Sequence, residues 1–135
     1  MQISVTRKAH FNAAHRLYNP NWDEQTNKEV FGLCSLPNYH GHNYELDVTV
    51  TGEIDPDTGF VIDLKYLKDI IYENVEQRFD QKNLNLDTPE FKTLNPTTEN
   101  IAIVIWNLIK PKLAVNQQLQ VTLYETERNF VTFKG

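Results

Sequence analysis

The chain has 135 residues, with 13 Lys and Arg against 18 Asp and Glu, and a formal net charge of -5. That length fits one α+β-sized domain, 1–135, and the acidic balance excludes a protein built mainly to coat nucleic acid. One Cys excludes an intrachain disulfide framework, and no apolar run has signal-peptide or membrane-spanning character, so the expectation is a cytoplasmic protein with neither membrane nor nucleic-acid partner.

From Ile3 the odd positions Ile3, Val5, Ala9, Phe11, Ala13 and His15 share one face, broken only by Arg7, while Ser4, Thr6, Lys8, His10 and Asn12 share the other. This period of two predicts a strand. Asn19 to Pro37 is rich in Pro and polar groups and reads as a long loop, a length usually kept for function. From His42 the alternation resumes, with His42, Tyr44, Leu46, Val48 and Val50 on one face. A turn follows at Glu53–Gly59. Asp63 then N-caps a predicted helix with Leu64, Leu67, Ile71 and Val75 on its apolar face. Asp80 to Pro96 reads as a polar loop. Thr97 or Thr98 caps a second helix, buried through Ile101, Val104, Ile105 and Leu108. Two last strands, about Gln118–Thr126 and Asn129–Phe133, form a hairpin. The expected fold is therefore α+β: a four-stranded antiparallel sheet with both helices on one face, its exposed edges covered by oligomerisation.

All four histidines, His10, His15, His40 and His42, lie in the first 42 residues. His40 and His42 point to the same side of a strand, roughly 7 Å apart at Cα. His15 shares parity with the apolar face of the first strand. If the two strands pair, the three rings meet at one end of the sheet. A three-His set leaves one position of a tetrahedral zinc open, the catalytic arrangement. The rival H-x-H-plus-Glu pattern fails because Glu45 is an odd number of residues from His42 and faces away. His10 has the wrong parity for the site.

Cys34 lies six residues before His40, and three roles are open to it: a buried inert thiol, a fourth zinc ligand, or a base or nucleophile beside the metal. Glu125 ends the row Leu119, Val121, Leu123. A carboxylate finishing an apolar row is costly unless paired, and a ligand with a planar pair of N–H donors would satisfy it in bidentate fashion. Emergence into solvent at the strand end is the alternative.

Taken in order, Phe11-Asn12-Ala13-Ala14-His15-Arg16-Leu17, Cys34-x5-His40-Gly41-His42-Asn43-Tyr44, Gly52-Glu53-Ile54-Asp55-Pro56-x-Thr58-Gly59, Lys82-Asn83-Leu84-Asn85-Leu86-Asp87, Pro96-Thr97-Thr98-Glu99-Asn100 and Tyr124-Glu125-Thr126 resemble the 6-pyruvoyl-tetrahydropterin synthase family, which includes the 6-carboxy-tetrahydropterin synthases of queuosine biosynthesis. The resemblance implies a T-fold, or tunnelling fold, whose subunits close a barrel. It also implies a hexamer of two stacked trimers with active sites at subunit interfaces. It implies Zn2+ on His15, His40 and His42, Cys34 as general base, and a pterin held by Glu125 beside Thr97 and Thr98. The implied substrate is 7,8-dihydroneopterin triphosphate. Loss of the C1′ proton to Cys34, protonation at C6, loss of triphosphate and tautomerisation give the 6-pyruvoyl product. Arg16 and Lys82 are candidates for contacts to the triphosphate.

One departure stands out. The family's proton relay is an Asp-His pair just before Lys-Asn-Leu, where this chain has Asp80-Gln81. Gln cannot shuttle a proton near neutral pH, which leaves Asp80 or water to carry it. The expectation is a slow or altered lyase, with a 6-carboxy-forming enzyme and a non-catalytic pterin binder as alternatives. Tyr39, where the family commonly has Gly, is a second departure.

Overall fold

The computed structural model describes all residues from Met1 to Gly135. The two alternating segments become the longest strands, β1 (Gln2–His15) and β2 (His40–Glu53). They pair antiparallel over their full length, from Gln2↔Glu53 to His15↔His40. Phe11, Ala13, Tyr44, Leu46, Val48 and Val50 are buried on one face. The other face is polar and tied across the strands by Thr6–Thr49 hydroxyls at 2.8 Å and a Lys8–Asp47 ion pair at 2.9 Å. The period of two in the sequence is thus the division between core and solvent.

The sheet has five strands, not four, and is mixed. Its order is β3-β1-β2-β4-β5, with β3 (Lys82–Asn83), β4 (Gln118–Tyr124) and β5 (Phe130–Phe133). The added strand β3 runs parallel to β1 at Ala13↔Lys82 and Ala14↔Asn83, inside the segment read as a polar loop. Two residues are too few to show alternation, and only the β1 edge makes them a strand.

Four helices other than the C-terminal one lie between the strands: α1 (Glu24–Phe31), α2 (Leu64–Ile71), α3 (Gln77–Phe79) and α4 (Leu84–Asp87). A π turn, Tyr72–Glu76, joins α2 to α3. The last helix is α5 (Thr98–Ile109). The carboxylate of Asp63 caps α2 by accepting from Lys65 N–H at 3.0 Å. Thr97, rather than Thr98, caps α5, accepting from Asn100 N–H at 3.2 Å. Leu67, Ile70, Ile71 and Val75 from the first run, and Ile101, Ile105 and Ile109 from α5, join the sheet in one core of 21 residues. Each such side chain contributes about 1.5–3 kcal/mol of burial. Leu64, expected on this face, is exposed at the first position of α2.

The segment Asn19–Pro37 is not a structureless loop. It contains α1 and a 3-10 turn, Gly32–Ser35. Asp23 caps α1 by accepting from Thr26 N–H at 2.7 Å. Buried Asn27 closes the entry, donating to Asn19 and Asp23 carbonyls at 3.0 Å and accepting from Asn19 N–H at 2.7 Å.

Candidate active site

His15 is the last residue of β1 and His40 the first of β2, and the register pairs them directly. His42 follows on the same face. The ring centroids lie 4.7 Å apart for His15–His40 and 5.0 Å apart for both His15–His42 and His40–His42. One nitrogen from each ring lies within 4.8 Å of the others, so the three could hold one metal ion.

The protonation of this group follows from its neighbours. His15 is fully buried, and its Nδ1 lies 2.8 Å from the Pro96 carbonyl. A carbonyl only accepts, so Nδ1 carries the proton and Nε2 presents a lone pair. That Nε2 lies 3.1 Å from His40 Nε2. His42 Nε2 is buried with no hydrogen-bond partner, and its nearest carboxylate oxygen, Glu125 Oε1, lies 3.9 Å away. An orphaned buried nitrogen on one of three rings that each bring a nitrogen within 4.8 Å of the others fits a cation held among them. Burial, the largest cause, lowers the pKa of His15 and of His42, against the opposing pull of Glu125. Both rings are therefore held in the neutral, ligating form. Beneath them the Tyr44 hydroxyl lies 3.4 Å from His15 Nδ1, and burial followed by Glu125 and Cys34 holds it above the usual phenol range.

Glu125 sits one residue beyond β4, not inside the strand as expected. Its N–H still donates to the Asn129 carbonyl at 3.0 Å, which keeps the strand's direction and the side chain's face. Glu125 Oε2 accepts from Thr98 Oγ1 at 2.7 Å. Thr97, Thr98 and Glu125 line a cleft of about 450 Å³ together with Leu17 and Arg128. The carboxylate is thus paired by one neutral donor and retains accepting capacity toward the cleft.

Cys34 lies in the 3-10 turn, half-buried, and its thiol is not one of the metal-directed group. Burial, then Glu125, pushes the thiol above its ordinary range. Asp80 lies elsewhere in the chain. Its Oδ1 accepts from Asn12 N–H at 2.9 Å, and Gln81 N–H donates to the Asn12 carbonyl at 2.7 Å. The pair therefore lies along the β1 edge and outside the histidine group. Gln81 and Tyr39, the two departures noted in the sequence, both have φ of 62°. His10 is exposed on the polar face, opposite Glu45.

Sequence reasoning missed three participants. The Pro96 carbonyl has no side-chain signal. Tyr44 shares the parity of His42 and was legible as its neighbour. Arg128 enters the cleft only because the β4–β5 turn folds back beside Glu125.

The family model described as 6-pyruvoyl tetrahydropterin synthase matches residues 4–135. The chain belongs to that family. It is 46% identical over 134 residues to the 6-pyruvoyl tetrahydrobiopterin synthase of Pongo abelii, covering 99% of this chain and 92% of that one. It is 33% identical to the 6-carboxy-5,6,7,8-tetrahydropterin synthase of Rickettsia conorii, covering 96% and 98%. Among solved structures, the 6-pyruvoyl tetrahydropterin synthase of Caenorhabditis elegans superposes with a TM-score of 0.93 at 37% identity, covering 100% of this chain and 96% of that one.

Proposed function

We propose that the protein is a zinc-dependent lyase that converts 7,8-dihydroneopterin triphosphate to 6-pyruvoyl-tetrahydropterin and triphosphate. The observation that carries this reading is the convergence of His15, His40 and His42 within 4.8 Å beside a carboxylate fixed by Thr98. Three imidazoles suit Zn2+ and leave one position open. Two ligand nitrogens on a tetrahedral zinc lie roughly 3.3 Å apart, close to the 3.1 Å between His15 and His40. Zinc bound there supplies Lewis-acid polarisation of the substrate's side-chain oxygens.

The chain's own groups account for the rest. Glu125 accepts the pterin's 2-amino and N3 hydrogens, and Thr98 holds that carboxylate in plane. Thr97 and Thr98 wall the cleft. Cys34 takes the C1′ proton and Asp80 or water delivers the proton at C6; triphosphate then departs from C3′ as the C2′ proton is lost, and tautomerisation gives the 6-pyruvoyl side chain. The chemistry is redox-neutral and needs no nicotinamide. The Asp80–Gln81 pair is bonded to Asn12 on β1 and is not part of the histidine group of its own chain, as expected if the site is completed by a neighbouring subunit in a closed T-fold barrel, a hexamer of two trimers. Domain organisation follows the same reading, one T-fold unit over 1–135.

The greater identity to 6-pyruvoyl than to 6-carboxy synthases favours the first product. Incubation of zinc-loaded protein with dihydroneopterin triphosphate, read by product mass, tests the proposal: triphosphate and the 6-pyruvoyl compound support it, and a 6-carboxy product with acetaldehyde, or binding without turnover, contradicts it.

A further inference from the structure

Arg16 follows buried His15 directly and is fixed from several sides. Its N–H donates to Asn85 Oδ1 at 2.7 Å, and its carbonyl accepts from Asn85 Nδ2 at 2.9 Å. This pair continues the parallel alignment of β1 and β3 beyond Ala14↔Asn83. Its side-chain Nε–H donates to the Ser35 carbonyl at 2.7 Å, and the guanidinium carbon lies 4.1 Å from the Tyr18 ring centre. The next residue, Leu17, donates its N–H to the Cys34 carbonyl at 2.8 Å. Ser35 Oγ closes the turn on the Gly32 carbonyl, also at 2.8 Å.

The carbonyls of Cys34 and Ser35 are therefore both held from residues 16 and 17, immediately after a metal-directed histidine. We propose that Arg16 is a positioning residue that clamps the Cys34 turn to the histidine-bearing end of β1, and not a ligand of the substrate's anionic tail. Only the step from turn position to turnover rests on the proposed lyase reaction. The small cleft beside Arg16 also holds Glu24 along with Lys28, so it carries both signs and is poorly suited to a polyanion. A guanidinium suits the clamp because its planar fork can donate to a carbonyl while its face rests on an aromatic ring.

Cys34 is the only Cys, so iodoacetamide alkylation read by intact mass reports this turn alone. In the zinc-loaded protein, Arg16→Ala raises the alkylation rate roughly tenfold, the worth of one charge-assisted hydrogen bond. It lowers kcat and leaves KM and metal content unchanged. Arg16→Lys keeps the charge but not the fork, and moves both readouts in the same direction by less. The rise is insensitive to low urea, because opening one turn exposes little surface. Unchanged alkylation in folded Arg16→Lys, a raised KM with unchanged alkylation, or a rise that scales with urea each overturns the clamp. A wild-type protein that does not turn over the pterin triphosphate overturns the lyase reading instead, and the alkylation comparison still decides the clamp.

Discussion

Thr98 Oγ1 and Glu125 Oε2 are 2.7 Å apart, a hydrogen bond that ties the first turn of α5 to the end of β4. It orients a carboxylate that would otherwise finish an apolar strand row unpaired. The orientation matters because a planar pair of N–H donors needs both carboxylate oxygens in its plane. Glu125→Gln keeps an acceptor for Thr98 but replaces one oxygen with a donor amide. Calorimetric titration with neopterin is expected to show about 100-fold weaker binding, on the scale of a lost charge-assisted bidentate pair. Zinc content, measured in parallel, stays the same.

Cys34 lies outside the group of ring nitrogens that converge. Cys34→Ala is therefore expected to retain one zinc per chain by atomic absorption while turnover falls by 100-fold or more, about the contribution of a general base. His40→Ala is expected to lose the metal. Loss of zinc from Cys34→Ala would mean that the thiol closes a structural site.

Gln81, which stands where the sequence resemblance leads one to expect a relay histidine, has φ of 62° and is exposed. His tolerates the left-handed region better than most side chains, so Gln81→His is expected to fold normally. Steady-state kcat is expected to rise, by up to about 100-fold if proton delivery limits the reaction. An unchanged or lower kcat contradicts a limiting relay.

Burial lowers the pKa of His15 and His42 in the folded chain. The unfolded chain then binds more protons between the two states' pKa values, so stability rises with pH there. Metal-free protein is expected to be most stable above about pH 6.5, the unfolded imidazole value, and to lose stability as pH falls below it. Thermal melts of the apo protein across this range check the sign. Zinc is expected to stabilise most above the same pH, because only neutral rings ligate.

The histidine group was legible because parity alone places His15, His40 and His42 on one face, and pairing of the two strands brings them to one end. Glu125 was legible for the same reason, although β4 stops two residues earlier than expected. α1 was not legible: Glu24, Gln25, Lys28 and Glu29 are exposed and Asn27 is its only buried residue, so there was no apolar stripe to read. Its position depends on the hydrogen bonds of the Asn27 amide. β3 was hidden by its length, and Arg16 read as a free cation because nothing in the sequence reveals a bond to a distant carbonyl.

In the proposed centre three imidazoles hold an ion beside a carboxylate that grips the heterocycle and a thiol that moves its proton. Mass analysis of products from zinc-loaded protein and dihydroneopterin triphosphate tests it most directly. Stoichiometric triphosphate and 6-pyruvoyl-tetrahydropterin are expected, abolished by chelation; intact substrate after prolonged incubation, or turnover indifferent to chelation and to Cys34→Ala, would contradict that centre.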